Sequence, residues 1–188
     1  GASTVIEEIY CNALRRVKEV ADIPVAVKIG SHFTNMTRIV SMLKDAGADA
    51  VVMFNRYYRP DLSLEDFSVG NAAVYSDASE FAEALRWIAL LSPEFDIPFV
   101  GATGIHDGPT VAKMIAVGAP AVEVVSSVYK NGLEQIGTMN TYLARWMEEK
   151  GYDSIDELRG KADASTQKRA EAFERVQYMK YYGDLKSS

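Results

Sequence analysis

The stretch IPVAVKIG at residues 23–30 decides the fold class of this chain, together with three further runs of the same kind. Each run is too short for a typical helix and lacks strict polar alternation, which is typical of strands covered on both faces in a parallel sheet. The other three runs are ADAVVMFN (48–55), IPFVGATG (97–104) and PAVEVVSS (120–127). Helical patterns separate the four runs, so the sequence predicts a parallel α/β architecture.

A repeated plan strengthens this interpretation. The tripeptide Asp-Ile-Pro opens the first run at 22–24 and the third run at 96–98. Gly-Ala leads into the second run at 47–48 and into the fourth at 118–119, so both motifs recur with a nearly constant offset. A constant offset over two motifs indicates two successive βαβα units. Barrel quarters repeat in this way, although doubly wound open sheets can also do so.

Four strands are half of the number that closes a (β/α)8 barrel. A complete barrel takes about 250 residues, whereas this chain has 188. The chain also begins with a helical pattern, over about residues 3–20, that would follow a strand located before it. We therefore expect half of a barrel, and the alternative is an open sheet that is complete in itself.

The composition and net charge of the chain argue against several classes of binding partner. The chain is 48% hydrophobic and carries a net charge of −6, which offers no basic patch for nucleic acid. The single cysteine, Cys11, cannot form an internal disulfide and is predicted to be a small buried apolar group in a reduced, cytoplasmic protein. No apolar run is long enough to span a bilayer. No metal-ligand spacing is present, and His32 and His106 complete no catalytic triad, so we expect neither histidine to be catalytic.

Two polar side chains come at the ends of the first two runs. In IPVAVKIG, alternation places the valines and Ile29 on the helix-facing side and Lys28 on the opposite side. Asn55 occupies the corresponding end of the second run. Barrel enzymes place their chemistry at this end of their strands. There a lysine provides a fixed positive charge and an amide suits the edge of a heterocycle; a solvated lysine and a turn-forming asparagine are the alternatives.

The ends of the third and fourth runs predict a phosphate site. Gly101 and Gly104 bracket the end of the third run, and Ser126 and Ser127 end the fourth. Glycine lets backbone N–H groups approach an anion, and the start of the following helix adds a favourable dipole. Barrels often bind phosphate between the loops after strands 7 and 8. A pair of ordinary glycine turns is the alternative interpretation.

Five collinear segments, over roughly residues 5–162, match the pattern of one known family. They are IPVAVKIGSHFTN (23–35), AGADAVVMFNR (46–56), FVGATGIHDGPTVAKMIAVGA (99–119), AVEVVSSVYKNG (121–132) and EEKGYDSIDELRGK (148–161). Together they resemble the dihydroorotate dehydrogenases. In that family they would be the fifth strand, the sixth strand, the flavin-phosphate segment, the eighth strand and a C-terminal stretch.

The resemblance implies a flavoprotein of the (β/α)8 TIM-barrel type, of which this chain has strands 5–8 and their helices. Such an oxidoreductase uses FMN to convert dihydroorotate to orotate in pyrimidine biosynthesis. Lys28 would lie beside the flavin ring, and Asn55 would bind the small-molecule substrate, a dihydropyrimidine. The remaining cofactor-binding residues, around the FMN phosphate, would be Gly101, Gly104, Ile105, Ser126 and Ser127.

The resemblance also divides the chain. Residues 1–164 would be the C-terminal half of the flavin-binding barrel, and residues 165–188 a C-terminal helical extension without a counterpart in the family pattern. Phe173, Val176 and Tyr181 would form an apolar stripe that packs this extension against the barrel.

The chain departs from the family pattern at several points. Ala102 and Thr103 interrupt the usual glycine run, and only Gly70 remains of a glycine-rich turn before the helix predicted at about 77–91. The family's catalytic base, a cysteine or serine after the fourth strand, has no counterpart here, and Cys11 lies in a helix before the fifth strand. We therefore expect no catalytic residue in this half and no activity from the fragment alone.

An isolated half-barrel would leave inward-facing side chains such as Val51 and Met53 exposed. We therefore expect a homo-oligomer or pairing with the missing half-barrel, and no nucleic-acid or membrane partner. Two other functions are compatible with the same residues. One is a non-flavin barrel enzyme that acts on a phosphorylated metabolite, and the other is a catalytically silent half-barrel that serves as an interaction module.

Overall fold

A computed structural model describes residues 3–175, which form a mixed α/β structure with one parallel sheet. The strands are β1 (Ala26–Ile29), β2 (Ala50–Met53), β3 (Pro60–Leu62), β4 (Val69–Asn71), β5 (Phe99–Ala102) and β6 (Val122–Glu123). The helices are α1 (Ser3–Lys18), α2 (Met36–Asp45), α3 (Phe81–Leu91), α4 (Gly108–Ala116), α5 (Ser126–Asn131), α6 (Glu134–Lys150), α7 (Ile155–Leu158) and α8 (Gln167–Glu174).

The main sheet has the strand order β1-β2-β5-β6, and all neighbouring strands are parallel. This order confirms the prediction that the four apolar runs form adjacent parallel strands. The fourth run is shorter than predicted, because β6 ends at Glu123 and Ser126 already begins α5. The hydroxyls of Ser126 and Ser127 form hydrogen bonds with backbone groups of other loops, at Ser76 and His106.

Side chains cap the first turns of two helices in the helical layer. The Asn35 side chain caps α2 by accepting a hydrogen bond from Arg38 N at 2.9 Å. Asp107 caps α4 in the same way through Thr110 N at 2.8 Å. One face of α2 is buried as its spacing predicts, through Met36, Ile39, Val40 and Leu43. The helix predicted at about 77–91 is a 3₁₀ turn over Ala78–Glu80 followed by α3.

The core lies between the parallel sheet and the helices that cover one of its faces. Val51 and Met53 are fully buried there, so the prediction that they point into a barrel interior is wrong. The reason is the register of β1 and β2. Val51 lies beside Val27 and Met53 beside Ile29, and residues in register between parallel strands share a face of the sheet. The face opposite to the helices carries Lys28 instead.

A hairpin that the sequence analysis did not predict follows β2. Strands β3 and β4 pair antiparallel and form a separate two-stranded sheet. Most residues between 57 and 75 are exposed, including the large apolar side chains of Leu64, Phe67 and Val74. Gly70 lies in β4, where a side chain would meet nothing within 4 Å. No neighbouring atom therefore requires glycine at this position, and Gly70 does not indicate a binding turn.

The segment after α6 folds back onto the helical layer. Ala162 N donates to Ala116 O at 2.7 Å, and Ala164 N donates to Ala89 O at 2.9 Å. Helix α8 packs on α3, with Arg86 Nε donating to Phe173 O at 2.6 Å. Phe173 therefore contacts the core as predicted, whereas the other two residues of the predicted stripe, Val176 and Tyr181, lie outside the described residues. The predicted domain boundary at 164/165 stays a prediction.

Residues 3–175 contain neither a membrane-spanning helix nor a metal-binding cluster. None of the described helices has the length and apolar content that crossing a membrane requires. Within the same residues, no cluster of histidine, cysteine and carboxylate side chains has the geometry of a metal site. Cys11 is buried and free, and burial raises the pKa of its thiol.

Candidate functional site

The carboxyl ends of the four parallel strands meet at one edge of the sheet, and a cavity of about 220 Å³ opens there. Open parallel sheets and barrels bind their ligands at this edge. Five residues predicted from the sequence line the cavity: Lys28, Asn55, Gly104, Ile105 and Ser126. They come from four different strand ends, so the parallel topology is what brings them together.

Lys28 lies on the face of the sheet opposite to the helices, as alternation along β1 predicts. Its Nζ atom is 2.6 Å from Oε2 of Glu123, which belongs to the other outer strand of the sheet. Glu123 is not among the site residues predicted from the sequence. The alternation of PAVEVVSS carried the signal, because it separates Glu123 from the apolar Val122 and Val124.

Asn55 directly follows β2 at the mouth of the cavity. Its backbone N–H donates to Ile29 O at 2.7 Å, which continues the hydrogen-bond ladder one step beyond both strands. The residue is exposed and also borders a second, larger cavity of about 630 Å³. The side-chain amide therefore stands at the boundary between the two cavities.

The turn after β5 has a special backbone. Thr103 and Gly104 both have positive φ, at 77° and 75°, a region in which glycine is strongly favoured. A side chain at Gly104 would collide with the backbone of Glu80 and Phe81. Thr103, which interrupts the family's glycine run, adopts this conformation with its Oγ1 donating to Phe54 O at 2.9 Å. A threonine thus occupies a backbone position that suits glycine.

The same turn presents unused hydrogen-bond donors. Among the described residues, the backbone N–H groups of Gly104 and Ile105 donate to no protein acceptor. Both residues line the cavity. Buried or half-buried N–H groups normally have a partner, so this pair of donors is suited to an anion bound in the cavity.

Two serines at the start of α5 have different surroundings. The Ser126 Oγ accepts a hydrogen bond from Ser76 N at 2.9 Å and lines the cavity, which leaves its own proton free to donate. Ser127 is fully buried, and its Oγ donates to His106 O at 3.1 Å. Ser127 therefore fixes the loop after β5 and does not line the cavity.

His106 takes part in the same loop structure. Its Nε2 and the buried Ser76 Oγ share a hydrogen bond of 2.9 Å, while its carbonyl accepts from Gln135 Nε2 at 2.9 Å. No local sequence signal could have linked Ser76 to His106, because the hairpin insertion brings Ser76 to this loop. His32 lies apart, with its ring 5.4 Å from the ring of Tyr57.

Gly101 is the predicted residue that the structure separates most clearly from the cavity. It lies inside β5, where its N–H donates to Ala121 O at 3.2 Å. A side chain at this position would contact Met114 and Ile88 on the helix side of the sheet. Its small size therefore serves the packing of α4 on the sheet, and Gly101 does not line the cavity.

An arginine that the sequence analysis missed closes the cavity on the side of the hairpin. Arg56 Nε is 3.2 Å from Glu80 Oε1, and its Nη1 donates to the carbonyls of Ala73 at 2.9 Å and Val74 at 3.1 Å. The guanidinium group thus joins the end of β2 to the segment that precedes α3. Its position directly after Asn55, at the end of the second apolar run, could have indicated that Arg56 lies at the cavity.

Known proteins resemble this chain over most of its length. It is 29% identical over 158 residues to the catalytic subunit of dihydroorotate dehydrogenase B (NAD(+)) from Bacillus cytotoxicus, which corresponds to 82% of this chain and 51% of the relative. The same subunits from Bacillus mycoides and Bacillus cereus are 28% identical over the same shares. No protein-family model matches the chain.

These relatives confirm the resemblance to dihydroorotate dehydrogenases that the sequence motifs indicate. The chain spans about half the length of the curated relatives it matches. The relatives are enzymes by name, and the α/β structure with a parallel sheet is compatible with the resemblance.

Proposed function

We propose that this chain is the second half of a (β/α)8 barrel of the dihydroorotate dehydrogenase type, and that it holds FMN at the carboxyl edge of its strands. The observation that carries the proposal is the meeting of Lys28, Asn55, Gly104, Ile105 and Ser126 around one cavity. The resemblance to dihydroorotate dehydrogenase B catalytic subunits supplies the chemistry, which is the oxidation of dihydroorotate to orotate.

The shape of the sheet supports the half-barrel. Neighbouring strands lie about 4.8 Å apart, so β1 and β6 would be about 14 Å apart in a flat sheet. The contact between Lys28 and Glu123 nevertheless joins these two strands over one face. Side chains that stand roughly upright on a sheet meet across three strand spacings when the sheet curves toward them, as it does in a barrel.

Both ends of the structure carry exposed apolar side chains, which also supports the half-barrel. At the first end, Ile6 and Ile9 of α1 are 53% and 61% exposed. At the other end, Tyr129 of α5 and the following Leu133 are 75% and 73% exposed. A second half of the barrel would cover the two ends together, because a closed barrel has no free edge. Pairing of two copies of the chain is the alternative cover.

The cavity fits the two ends of FMN. The free N–H groups of Gly104 and Ile105 and the hydroxyl of Ser126 suit the phosphate. Lys28 provides a positive charge and Asn55 a hydrogen-bonding amide at the neighbouring strand ends, where the flavin ring and the substrate would lie. When bound, FMN would supply the hydride acceptor, while these residues would bind and orient it.

The proton-abstracting base would come from outside this chain. None of the described residues at the cavity is a cysteine, and Ser76 and Ser126 are engaged by His106 and by a backbone amide. We therefore propose that residues 1–164 are a half-barrel without dihydroorotate oxidation of its own, and that the active cytoplasmic enzyme needs the other half. Residues 165–188 would be an added C-terminal segment, of which 176–188 lie outside the described residues.

The test is the cofactor of the full-length protein that contains this chain. We expect the purified protein to be yellow, to release one FMN per chain on denaturation, and to lose its flavin absorbance when dihydroorotate is added without oxygen. A colourless protein whose cavity binds inorganic phosphate would instead favour a non-flavin enzyme acting on a phosphorylated metabolite, because the Gly104 and Ile105 amides serve either ligand. A colourless protein that binds neither would favour an interaction module.

A further inference from the structure

The ion pair between Lys28 and Glu123 is a feature of the cavity that the family resemblance does not explain. The two residues are far apart in the chain and lie on the two outer strands of the parallel sheet. Their Nζ and Oε2 atoms are 2.6 Å apart, and both side chains line the cavity. A contact of this length is a charge-assisted hydrogen bond, which fixes direction as well as charge.

Few charged side chains line the cavity, so this ion pair strongly influences the charge that a ligand meets there. Within the described part of the chain, three charged residues line the cavity: Lys28, Arg56 and Glu123. Arg56 is held by Glu80 and by two carbonyl groups. Glu80 also contacts Arg59, so two arginines share one carboxylate on the hairpin side of the cavity. At the ends of the two outer strands, the charge that faces a ligand comes from Lys28, and Glu123 is the carboxylate beside it.

We propose that Glu123 is a positioning residue, which draws the Lys28 ammonium group toward β6 and thereby limits its approach to a bound flavin. The inference rests on the proposed function, since it assumes that the flavin ring lies beside Lys28. A positive charge favours the reduced, anionic flavin, because opposite charges attract more strongly in a partly desolvated site. A carboxylate that holds the ammonium group away from the flavin weakens this attraction and so lowers the reduction potential of the flavin.

The expected effect is moderate. The side chains of Lys28 and Glu123 are 38% and 43% exposed, so solvent screens part of their interaction. We expect Glu123→Gln to shift the equilibrium between oxidised and reduced flavin about tenfold toward the reduced form, which is ~30 mV for a two-electron couple. A purely structural ion pair would leave this potential unchanged.

The experiment is a spectroelectrochemical titration of the flavin in the full-length protein. Four variants are compared with the wild type: Glu123→Gln, Glu123→Asp, Lys28→Met, and Glu123→Gln combined with Lys28→Met. Glu149→Gln removes an exposed carboxylate on the outer helix α6 and serves as the control. We expect Glu123→Gln to raise the potential, Glu123→Asp to return it part of the way to the wild-type value, and Glu149→Gln to have no effect.

The double variant separates positioning from a direct effect of the carboxylate on the flavin. If Glu123 acts through Lys28, the shift caused by Glu123→Gln falls to less than half in the Lys28→Met background. Equal shifts in both backgrounds would overturn the positioning role, and so would a normal potential in Glu123→Gln. Either result leaves the proposed function intact, whereas a full-length protein without flavin refutes the proposed function together with this inference.

Discussion

The two repeated units of this chain, residues 23–55 and 97–127, share one scaffold but present different chemistry. Both contain two parallel strands joined by a capped helix, and both helices are followed by a glycine with positive φ, Gly47 at 100° and Gly118 at 124°. The first unit ends its strands with the side chains of Lys28 and Asn55. The second offers the backbone amides of Gly104 and Ile105 and the hydroxyl of Ser126 to the same cavity.

This difference indicates that the two units have different roles at the edge of the sheet. Backbone amides have fixed directions and suit an anion that takes no part in the reaction, such as the phosphate group of a cofactor. Charged and amide side chains can respond to charge that changes during a reaction and to the edge of a heterocycle. We therefore expect changes in the first unit to alter turnover and substrate binding, and changes in the second unit to alter cofactor retention and stability.

Replacement of Lys28 by alanine should have the largest effect and act on turnover. The loss of one electrostatic group that stabilises charge developing in the transition state typically costs ~100- to 1000-fold in rate. FMN should stay bound, because the phosphate contacts come from the second unit. The measurement is kcat at saturating dihydroorotate in the full-length protein, with the FMN content of the same sample. Near-normal turnover would remove Lys28 from the reaction.

Replacement of Gly104 by alanine, in the second unit, should reduce stability and FMN retention rather than turnover. The left-handed backbone costs a non-glycine residue about 1–3 kcal/mol, and the new side chain would also collide with the backbone at Glu80 and Phe81. We expect a lower melting temperature and loss of FMN. Gly70→Ala is the matched control, since a side chain there meets nothing within 4 Å and should change neither property. Equal melting temperatures for the two variants would contradict this assignment of the turn.

Asn55→Ala should have a smaller effect, which is confined to substrate affinity. The loss of a hydrogen bond to a substrate costs about 1.4 kcal/mol, equivalent to a tenfold increase in Kd. Dihydroorotate or orotate titration of the flavin absorbance measures this Kd in the full-length protein, and flavin content should be unchanged. An unchanged Kd with reduced FMN content would move Asn55 from the substrate to the cofactor.

The sequence predicts the scaffold better than the surroundings of the site. Strand order and the edge that collects Lys28, Asn55 and Gly104 follow from apolar runs, spacing and parallel topology, which are local or repeated signals. The burial of Val51 was predicted wrongly, because both faces of a parallel strand are apolar and alternation does not distinguish them. Contacts made by the hairpin insertion, such as that of Ser76 with His106, depend on long-range folding and leave no local pattern.

The residue before the second strand differs between the two units. Its substitution in the first unit should have the smallest effect of those considered, and this effect is on stability. The first unit has Asp49 where the second has Pro120. Asp49 Oδ2 accepts hydrogen bonds from Lys18 Nζ at 2.8 Å and from Val25 N at 2.7 Å. The bond from Lys18, followed by the bond from the Val25 amide, lowers the pKa of the Asp49 carboxyl below its ordinary value of 3.8.

The sign of the resulting pH dependence follows from this shift. Because the carboxyl has a lower pKa in the folded state than in the unfolded state, its contribution to stability is present above pH 3.8 and is lost as the pH falls through the lower, folded-state pKa. We expect Asp49→Asn to destabilise the protein slightly at neutral pH and to flatten the loss of stability on acidification in this range. Asp22→Asn removes an exposed carboxylate directly before the same unit and should leave both unchanged. Urea unfolding between pH 3 and pH 7 measures the difference, and parallel stability curves for Asp49→Asn and the wild type would show that these hydrogen bonds do not couple Asp49 to folding.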